Sequence, residues 1–356
     1  MSEISVRYAR WDAVGEPFTV IDGVTPAIPA DGWILAEIDM ATICGSDLHT
    51  VLGHRNSPAP SILGHEQVGR VVGLGRSARP TYFDGAQIGL GDRVTWSVTA
   101  SCGACEQCRA GREQKCARLR KYGHAELTAQ WPLNGGFATH CLLAPGTTVV
   151  PVPGELPDRV ACPASCATAT VAAVLDAANR DSPAGPRRVL ITGAGMLGVT
   201  AAAMASRAGG EVVVIDPDAD RRALAARFGA DRVLGADERP SGFDIAIELS
   251  GNAAAVETCL ASVGVGGRAV LAGSVSSSRP VAFDPERLVR NLVTVTGVHN
   301  YRPGHLETAV RFLADNHERY PFAELVSGGY GLDRIDDAVR AAAQGPGLRQ
   351  AIVPAA

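Results

Sequence analysis

The chain has 356 residues, of which 46% are hydrophobic and 20% charged, with a formal net charge of −4. That length exceeds one ordinary core and implies two domains, while the near-average composition excludes disordered and fibrous classes. So small a net charge gives no global field for nucleic acid or an anionic membrane, and any anionic substrate would have to be caught locally.

The opening Met1-Ser-Glu-Ile-Ser lacks a cationic region followed by an apolar run. No apolar stretch reaches the ~18 to 20 residues of a membrane helix. The expectation is a cytoplasmic protein with no secretory leader and no membrane span. Residues 1 to about 165 are rich in Gly, Pro and short β-branched runs such as Val68–Val72 and Thr147–Val152. They predict a mostly antiparallel β domain with long loops. Within it, Ile43-Cys44-Gly45-Ser46-Asp47-Leu48-His49 is followed about twenty residues later by Gly64-His65-Glu66. Together with Cys166 these segments offer ligand types for one metal ion, although a lone Cys166 also suits a small buried core position.

Cys102, Cys105, Cys108 and Cys116 are spaced C-x2-C-x2-C-x7-C. In a reducing compartment such clustering binds metal rather than forming disulfides, and four thiolates suit a closed tetrahedral zinc that stabilises a loop. The bacterial iron–sulfur pattern places its fourth cysteine after three residues and before a proline; here the gap is seven and Ala117 follows. Arg109, Arg112, Lys115, Arg118, Arg120 and Lys121 lie nearby, but no recognition helix accompanies them, so a nucleic-acid module is not expected. Cys141, Cys162 and Cys259 have no partner at ligand spacing and read as core.

From about Ala167 the chain alternates Ala-rich helical segments with apolar strands. Arg188–Thr192, Glu211–Asp216, Phe243–Leu249, Arg268–Gly273 and Leu292–Val298 are predicted strands, separated by helices near Leu197–Ala208, Asp220–Phe228 and Ala253–Ser262. This predicts an α/β, doubly wound parallel sheet over residues 167–300. Its first strand runs into Gly193-Ala-Gly195-Met196-Leu197-Gly198, the spacing of a dinucleotide turn. Gly193 permits the tight turn, Gly195 lets backbone approach a pyrophosphate, and Gly198 allows close helix packing. Asp216 ends the second strand, where a carboxylate accepts hydrogen bonds from the adenosine ribose and favours NAD over NADP. Arg221 and Arg222 open the next helix, either to accommodate a 2′-phosphate or as a solvated face. The tail, residues 301–356, contains a predicted helix Leu306–Asp315 and is expected to return to the first domain.

These segments resemble the zinc-dependent medium-chain dehydrogenase/reductase superfamily over essentially the full length. The matching residues are Cys44-Gly-Ser-Asp-Leu-His49, Gly64-His-Glu66, Gly91-Asp-Arg-Val94, the cysteine lobe (about 96–124), Gly135-Gly-Phe137, Cys166 with Thr170, Gly193 to Gly198, and Asp216. The resemblance implies a GroES-like β-rich catalytic domain (1–166), a Rossmann domain, and an active site in the cleft between them. It makes Cys44, His65 and Cys166 the ligands of a catalytic zinc, the Cys2His set alcohol dehydrogenases are known to use. Many relatives carry a Glu-Pro pair near the third ligand; Ala164-Ser165-Cys166-Ala167-Thr168 departs from it and selects the cysteine branch. Glu66 would be a carboxylate able to enter the coordination sphere, and Asp47 would orient the histidine ligand. Ser46 would take the alcohol proton and His49 relay it to solvent, unless His49 is only a loop histidine. Thr170, with Met196, Leu197 and Arg221, would join the cofactor site. Two zinc ions and one NAD per chain are implied, with a homodimer or homotetramer joined through an edge strand of the Rossmann sheet.

Lys121-Tyr-Gly-His124 and the run Pro163 to Ala173 resemble a subgroup of alcohol dehydrogenases associated with phosphonate catabolism, and related branches act on cyclic terpenoid alcohols. A phosphonate needs local cations, for which Arg55, His54, Arg118, Lys121 and His124 are candidates. A terpenoid needs an apolar pocket, with Trp96 and Trp131 as candidate walls.

Overall fold

The computed structural model describes residues 4–24, 32–75, 80–180, 187–344 and 347–355. Met1–Glu3, on which the reading of a leader partly rests, lie outside the described residues. Two compact units emerge: Met1–Cys166 with Arg302–His317 and Phe322–Ala356, and Ala167–Tyr301 with Glu318–Pro321.

In the first unit, strands Ile34–Thr42, Glu66–Leu74 and Arg93–Ala100 run antiparallel in one large sheet. Trp96, Tyr122, Phe137 and Leu35 are fully buried in its core. Register decides what this sheet delivers. Thr42 pairs with Glu66, so Cys44, just past one strand, lies beside His65, just before the other. The C-terminal strand Arg349–Ile352 pairs with the other edge of Ile34–Thr42, Ala351 opposite Thr42, and the Ile43 amide donates to the Gln350 carbonyl at 3.0 Å. Arg349 is thereby carried to the end where Cys44 and Glu66 meet.

The second unit contains a six-stranded parallel sheet in the order Arg232–Leu234, Glu211–Ile215, Arg188–Thr192, Phe243–Glu248, Val263–Leu271, Thr294–Gly297. Numbered by position in the chain, that is the 3-2-1-4-5-6 order of a doubly wound dinucleotide fold. Val189–Ile191, Val212–Ile215 and Ile245–Ile247 are all buried, as expected where helices cover both faces and apolar runs need not alternate. Two details depart from the sequence reading. The three-residue strand Arg232–Leu234 is too short to show a period. Glu318–Pro321 belongs with the second unit, where Tyr320 stacks on Phe228 with ring centroids 5.9 Å apart. Among the described residues no single helix is long and apolar enough to cross a membrane.

Candidate active site

Three sulfur and nitrogen ligand groups converge in the first unit. The Sγ atoms of Cys44 and Cys166 lie 4.0 Å apart, and with a ring nitrogen of His65 all three ligand atoms fall within 4.8 Å of one another. Two thiolates at tetrahedral angles about 2.3 Å from one zinc would be about 3.8 Å apart, so the set fits that ion. The Cys162–Ser165 turn brings in Cys166: Cys162 Sγ donates to the carbonyls of Met40 and Glu66, and Ser165 Oγ to that of His65.

Asp47, almost fully buried, organises the ligands. One oxygen accepts from the Cys44 amide at 2.9 Å and the other from the Gly64 amide at 3.1 Å. The latter oxygen is also 3.3 Å from His65 Nδ1, an electrostatic contact whose angle falls outside hydrogen-bond geometry. Ser46 Oγ sits 3.2 Å from His65 Nε2. His49, three residues further along helix Gly45–Val51, shares its face. His49 is half-buried, with the exposed His54 ring 5.7 Å away.

Glu66 is completely buried, and Arg349 holds it with two hydrogen bonds of 2.7 and 3.0 Å, while the Thr42 hydroxyl donates a third at 2.7 Å. Arg349 also reaches Cys44 Sγ at 3.5 Å. Glu66 therefore enters the site as a fully engaged carboxylate. Neither Arg349 nor Thr42 was singled out in the sequence; the sole hint was one arginine at the start of the short tail run Arg349-Gln-Ala-Ile.

The electrostatics follow from these contacts. Hydrogen bonding from Cys166 and the Arg349 charge hold the Cys44 thiol well below its usual range, and the Cys166 thiol is pushed up by the same bond and by burial. Burial disfavours a charged His65, but Asp47 and Cys44 outweigh it and raise the imidazole to about 10. Burial also pushes the Glu66 carboxyl up, against the lowering effect of Arg349.

The four-cysteine lobe closes as spaced. Cys105 Sγ lies 3.5 Å from Cys108 Sγ and 3.9 Å from Cys116 Sγ, and the Cys102 and Arg118 amides each donate to Cys116 Sγ at 3.3 Å. The Ala104 amide, with Arg118, lowers Cys102 to about 5, whereas burial pushes Cys108 up to about 12. The geometry suits a closed zinc site.

In the second unit the glycine turn fits a dinucleotide. Gly193 has φ +97°, a Cβ at Gly198 would stand 1.8 Å from the Gly193 carbonyl oxygen, and a Cβ at Gly195 would have no neighbour nearer than Arg221 at 4.0 Å. The open approach is thus over Gly195, at the N-terminus of helix Met196–Arg207, where free amides favour phosphate. Met196 is buried and Leu197 half-buried in that helix's first turn. Asp216 accepts from the Ala194 amide at 2.7 Å and the Asp218 amide at 2.9 Å, so one carboxylate fixes both the turn and its own loop. Arg221 is exposed, while Arg222 folds back onto the carbonyls of Asp216 and Pro217. Thr170 is half-buried in helix Ala167–Asn179.

A family profile described as alcohol dehydrogenase GroES-like domain matches residues 30–154, and one described as zinc-binding dehydrogenase matches residues 197–315. An L-threonine 3-dehydrogenase of Xanthomonas axonopodis pv. citri is 31% identical over 333 residues, 88% of this chain and 87% of the relative. The chain belongs to the zinc-dependent medium-chain dehydrogenases. A 5-exo-hydroxycamphor dehydrogenase of Pseudomonas putida is 27% identical over 352 residues, 94% of this chain and 95% of the relative. Among solved structures, an alcohol dehydrogenase of Thermotoga maritima superposes with a TM-score of 0.91 at 28% identity, covering 99% of this chain and 100% of that one. A zinc-binding dehydrogenase of Sinorhizobium meliloti bound to NADP gives 0.84 at 25% identity, with 99% and 100% coverage. As a dehydrogenase of this family, the protein works with zinc and a nicotinamide cofactor.

The expected substrate residues divide. Trp96 is fully buried and Trp131 nearly so, its indole N–H donating to the Leu142 carbonyl at 2.8 Å. Both tryptophans are core residues, and the expectation that they wall a substrate pocket is corrected. His124, in contrast, is buried against His65 with ring centroids 4.6 Å apart, and its Nδ1 has no hydrogen-bond partner among the described residues. Arg55 and Lys121 are half-buried. Burial and the Arg55 charge push the Lys121 ammonium down to about 8. Arg118 is exposed in the cysteine lobe.

Proposed function

We propose that this dehydrogenase interconverts an alcohol and its aldehyde or ketone with NAD, and that its substrate carries an anionic group of the phosphonate class. The observation that carries the redox reading is the convergence of Cys44, His65 and Cys166, with the Ser46 hydroxyl 3.2 Å from His65 Nε2. When bound, zinc supplies a Lewis acid for the substrate oxygen and the nicotinamide supplies the hydride acceptor or donor. Cys44, His65 and Cys166 hold the metal, and Asp47 orients the ligand set. Ser46 takes the alcohol proton, and His49, on the same helical face, passes it outward. Glu66, tied to Arg349, keeps a fixed negative charge beside Cys44. Asp216 receives the adenosine ribose, which favours NAD, and Arg221 borders the pyrophosphate approach.

Support for the anionic group is local. The Arg55 charge disfavours the Lys121 ammonium, and among the described residues no carboxylate is paired to either and the His124 Nδ1 lacks a hydrogen-bond partner. Partly desolvated like charges of this kind are stabilised by a bound anion. A second reading, a cyclic terpenoid secondary alcohol, is favoured by the camphor-alcohol relative, but the two tryptophans that would have served it are in the core.

The protein is further read as a cytoplasmic homodimer or homotetramer. Edge strand Thr294–Gly297 is paired on one side only among the described residues, and Val295, Leu292 and Phe283 around it are 40%, 73% and 57% exposed. Light scattering after gel filtration tests that point. The main test measures zinc per chain and NADH formation with hydroxyphosphonates, simple alcohols and cyclic terpenoid alcohols. Two zinc ions and fastest turnover on a hydroxyphosphonate are expected. Absence of turnover in either direction would defeat the redox reading, and preference for a terpenoid alcohol would defeat the anionic one.

A further inference from the structure

One carboxylate in the second unit has no role in the reading above. Glu248, the last residue of strand Phe243–Glu248, is completely buried. Its Oε1 accepts from the Ser250 amide at 2.6 Å, the Ser250 hydroxyl at 2.9 Å and the Gly251 amide at 2.6 Å, and its Oε2 accepts from the Ser274 hydroxyl at 3.2 Å. Its main-chain carbonyl accepts from the amides of Ala272 and Gly273, both at 3.0 Å. Among the described residues no cation pairs with it; neutral donors alone hold the charge.

Those donors belong to the loops that leave the C-terminal ends of two adjacent strands. The loops meet backbone to backbone: a Cβ at Gly251 would stand 2.7 Å from the Gly273 carbonyl oxygen, and one at Gly273 would stand 2.5 Å from the Gly251 nitrogen. Ser250 in turn leans on the glycine turn, since a Cβ at Gly193 would meet Ser250 at 2.9 Å. Ser250 and Ser274 are themselves exposed. A single buried group thus sets the surface presented by two loops and braces a third.

In a sheet of this order a dinucleotide crosses the switch point between strands Arg188–Thr192 and Phe243–Glu248. With the adenosine half over Asp216, the other half faces the loops that Glu248 ties. We infer that Glu248 is a positioning residue for the nicotinamide half of the cofactor, acting through Ser250, Gly251 and Ser274. The inference rests on the dinucleotide reading given above. It calls for a carboxylate because one oxygen accepts from three donors, two of them backbone amides, and an ionised oxygen holds such a set more strongly than the neutral oxygen of a glutamine, whose amide N–H could donate to the Ser274 hydroxyl but adds no charge.

The test uses the full-length protein and binding rather than turnover. NADH is titrated by its fluorescence, and AMP, which engages only the adenosine side, by calorimetry, in wild type, Glu248→Gln, Glu248→Asp and Ser274→Ala. For Glu248→Gln the NADH Kd is expected to rise about tenfold or more with the AMP Kd unchanged, the loss of a positioned set of hydrogen bonds. Glu248→Asp should recover part of that affinity. Ser274→Ala, at an exposed residue that leaves the buried carboxylate in place, should show the same selective loss to a smaller degree even where Glu248→Gln fails to fold. Unchanged NADH affinity in Ser274→Ala and in whichever Glu248 variants fold, or equal weakening of NADH and AMP, overturns the proposal. A wild type that binds neither ligand overturns the dinucleotide reading and the proposal with it.

Discussion

Arg349 and Glu66, 283 residues apart in sequence, form a buried two-pronged ion pair directly beside Cys44. Glu66 is inaccessible to water and Arg349 is 7% exposed, so each group depends on the other for its charge. Removing the arginine strands a carboxylate next to a thiolate. Arg349→Met is therefore expected to destabilise the protein by about 3–5 kcal/mol, whereas the double variant Arg349→Met/Glu66→Gln recovers much of the loss. Chemical denaturation of the three proteins checks this; a double variant as unstable as the single one would show that the charge imbalance is not the cause.

The two zinc sites should separate by substitution. Cys108→Ser removes one ligand from the lobe and is expected to lower zinc content from two per chain to one, with loss of thermal stability. Asp47→Ala leaves all seven cysteine and histidine ligands in place, yet should weaken the catalytic ion about 10- to 100-fold, because the partner that orients His65 is gone. Elemental analysis and competition with a chromophoric chelator distinguish the two results.

Asp216 is expected to govern cofactor choice at a structural cost. Asp216→Asn removes the negative charge that a 2′-phosphate would meet, so the KM for NADP should fall. The Ala194 and Asp218 amides lose a charged acceptor, and the KM for NAD should rise about tenfold. Steady-state kinetics with both cofactors give the answer, and an unchanged NADP to NAD preference would count against the role of Asp216.

Lys121 should make anion recognition pH-dependent. Its charged form predominates below about 8 and is lost as pH rises through that value. The ratio of kcat/KM for a phosphonate alcohol to that for a neutral alcohol is expected to decline above this pH. In Lys121→Met the decline should vanish, with KM for the phosphonate raised about tenfold by loss of a charge-assisted contact. The neutral substrate serves as an internal reference, since proton release at the metal affects both alcohols.

Much of the architecture was legible because its physics is local. The parallel strands are buried on both faces, so Val212–Ile215 and Ile245–Ile247 appear as unbroken apolar runs that need no register to interpret. The cysteine lobe is equally local: four ligands within fifteen residues close on one another by spacing alone. The glycine turn is a steric statement: a Cβ at Gly198 would stand 1.8 Å from the Gly193 carbonyl oxygen.

Strand register decided the rest. Pairing of Thr42 with Glu66 and with Ala351 brings three distant segments to one point, and no short-range pattern announces that Arg349 ends up against Cys44. Trp96 illustrates the converse: expected as a wall of an apolar substrate pocket, it lies in the middle of strand Arg93–Ala100 and is fully buried in the core of the first unit. Glu248 is one acidic residue among many until folding removes its solvent and leaves amides and hydroxyls as its only donors among the described residues. The sequence by itself determined the ligand types, the cofactor turn and the fold class, since each is encoded by neighbours in the chain. Only the tertiary structure decided which charges are buried together, because burial and partnership arise from contacts between residues that covalent order keeps apart.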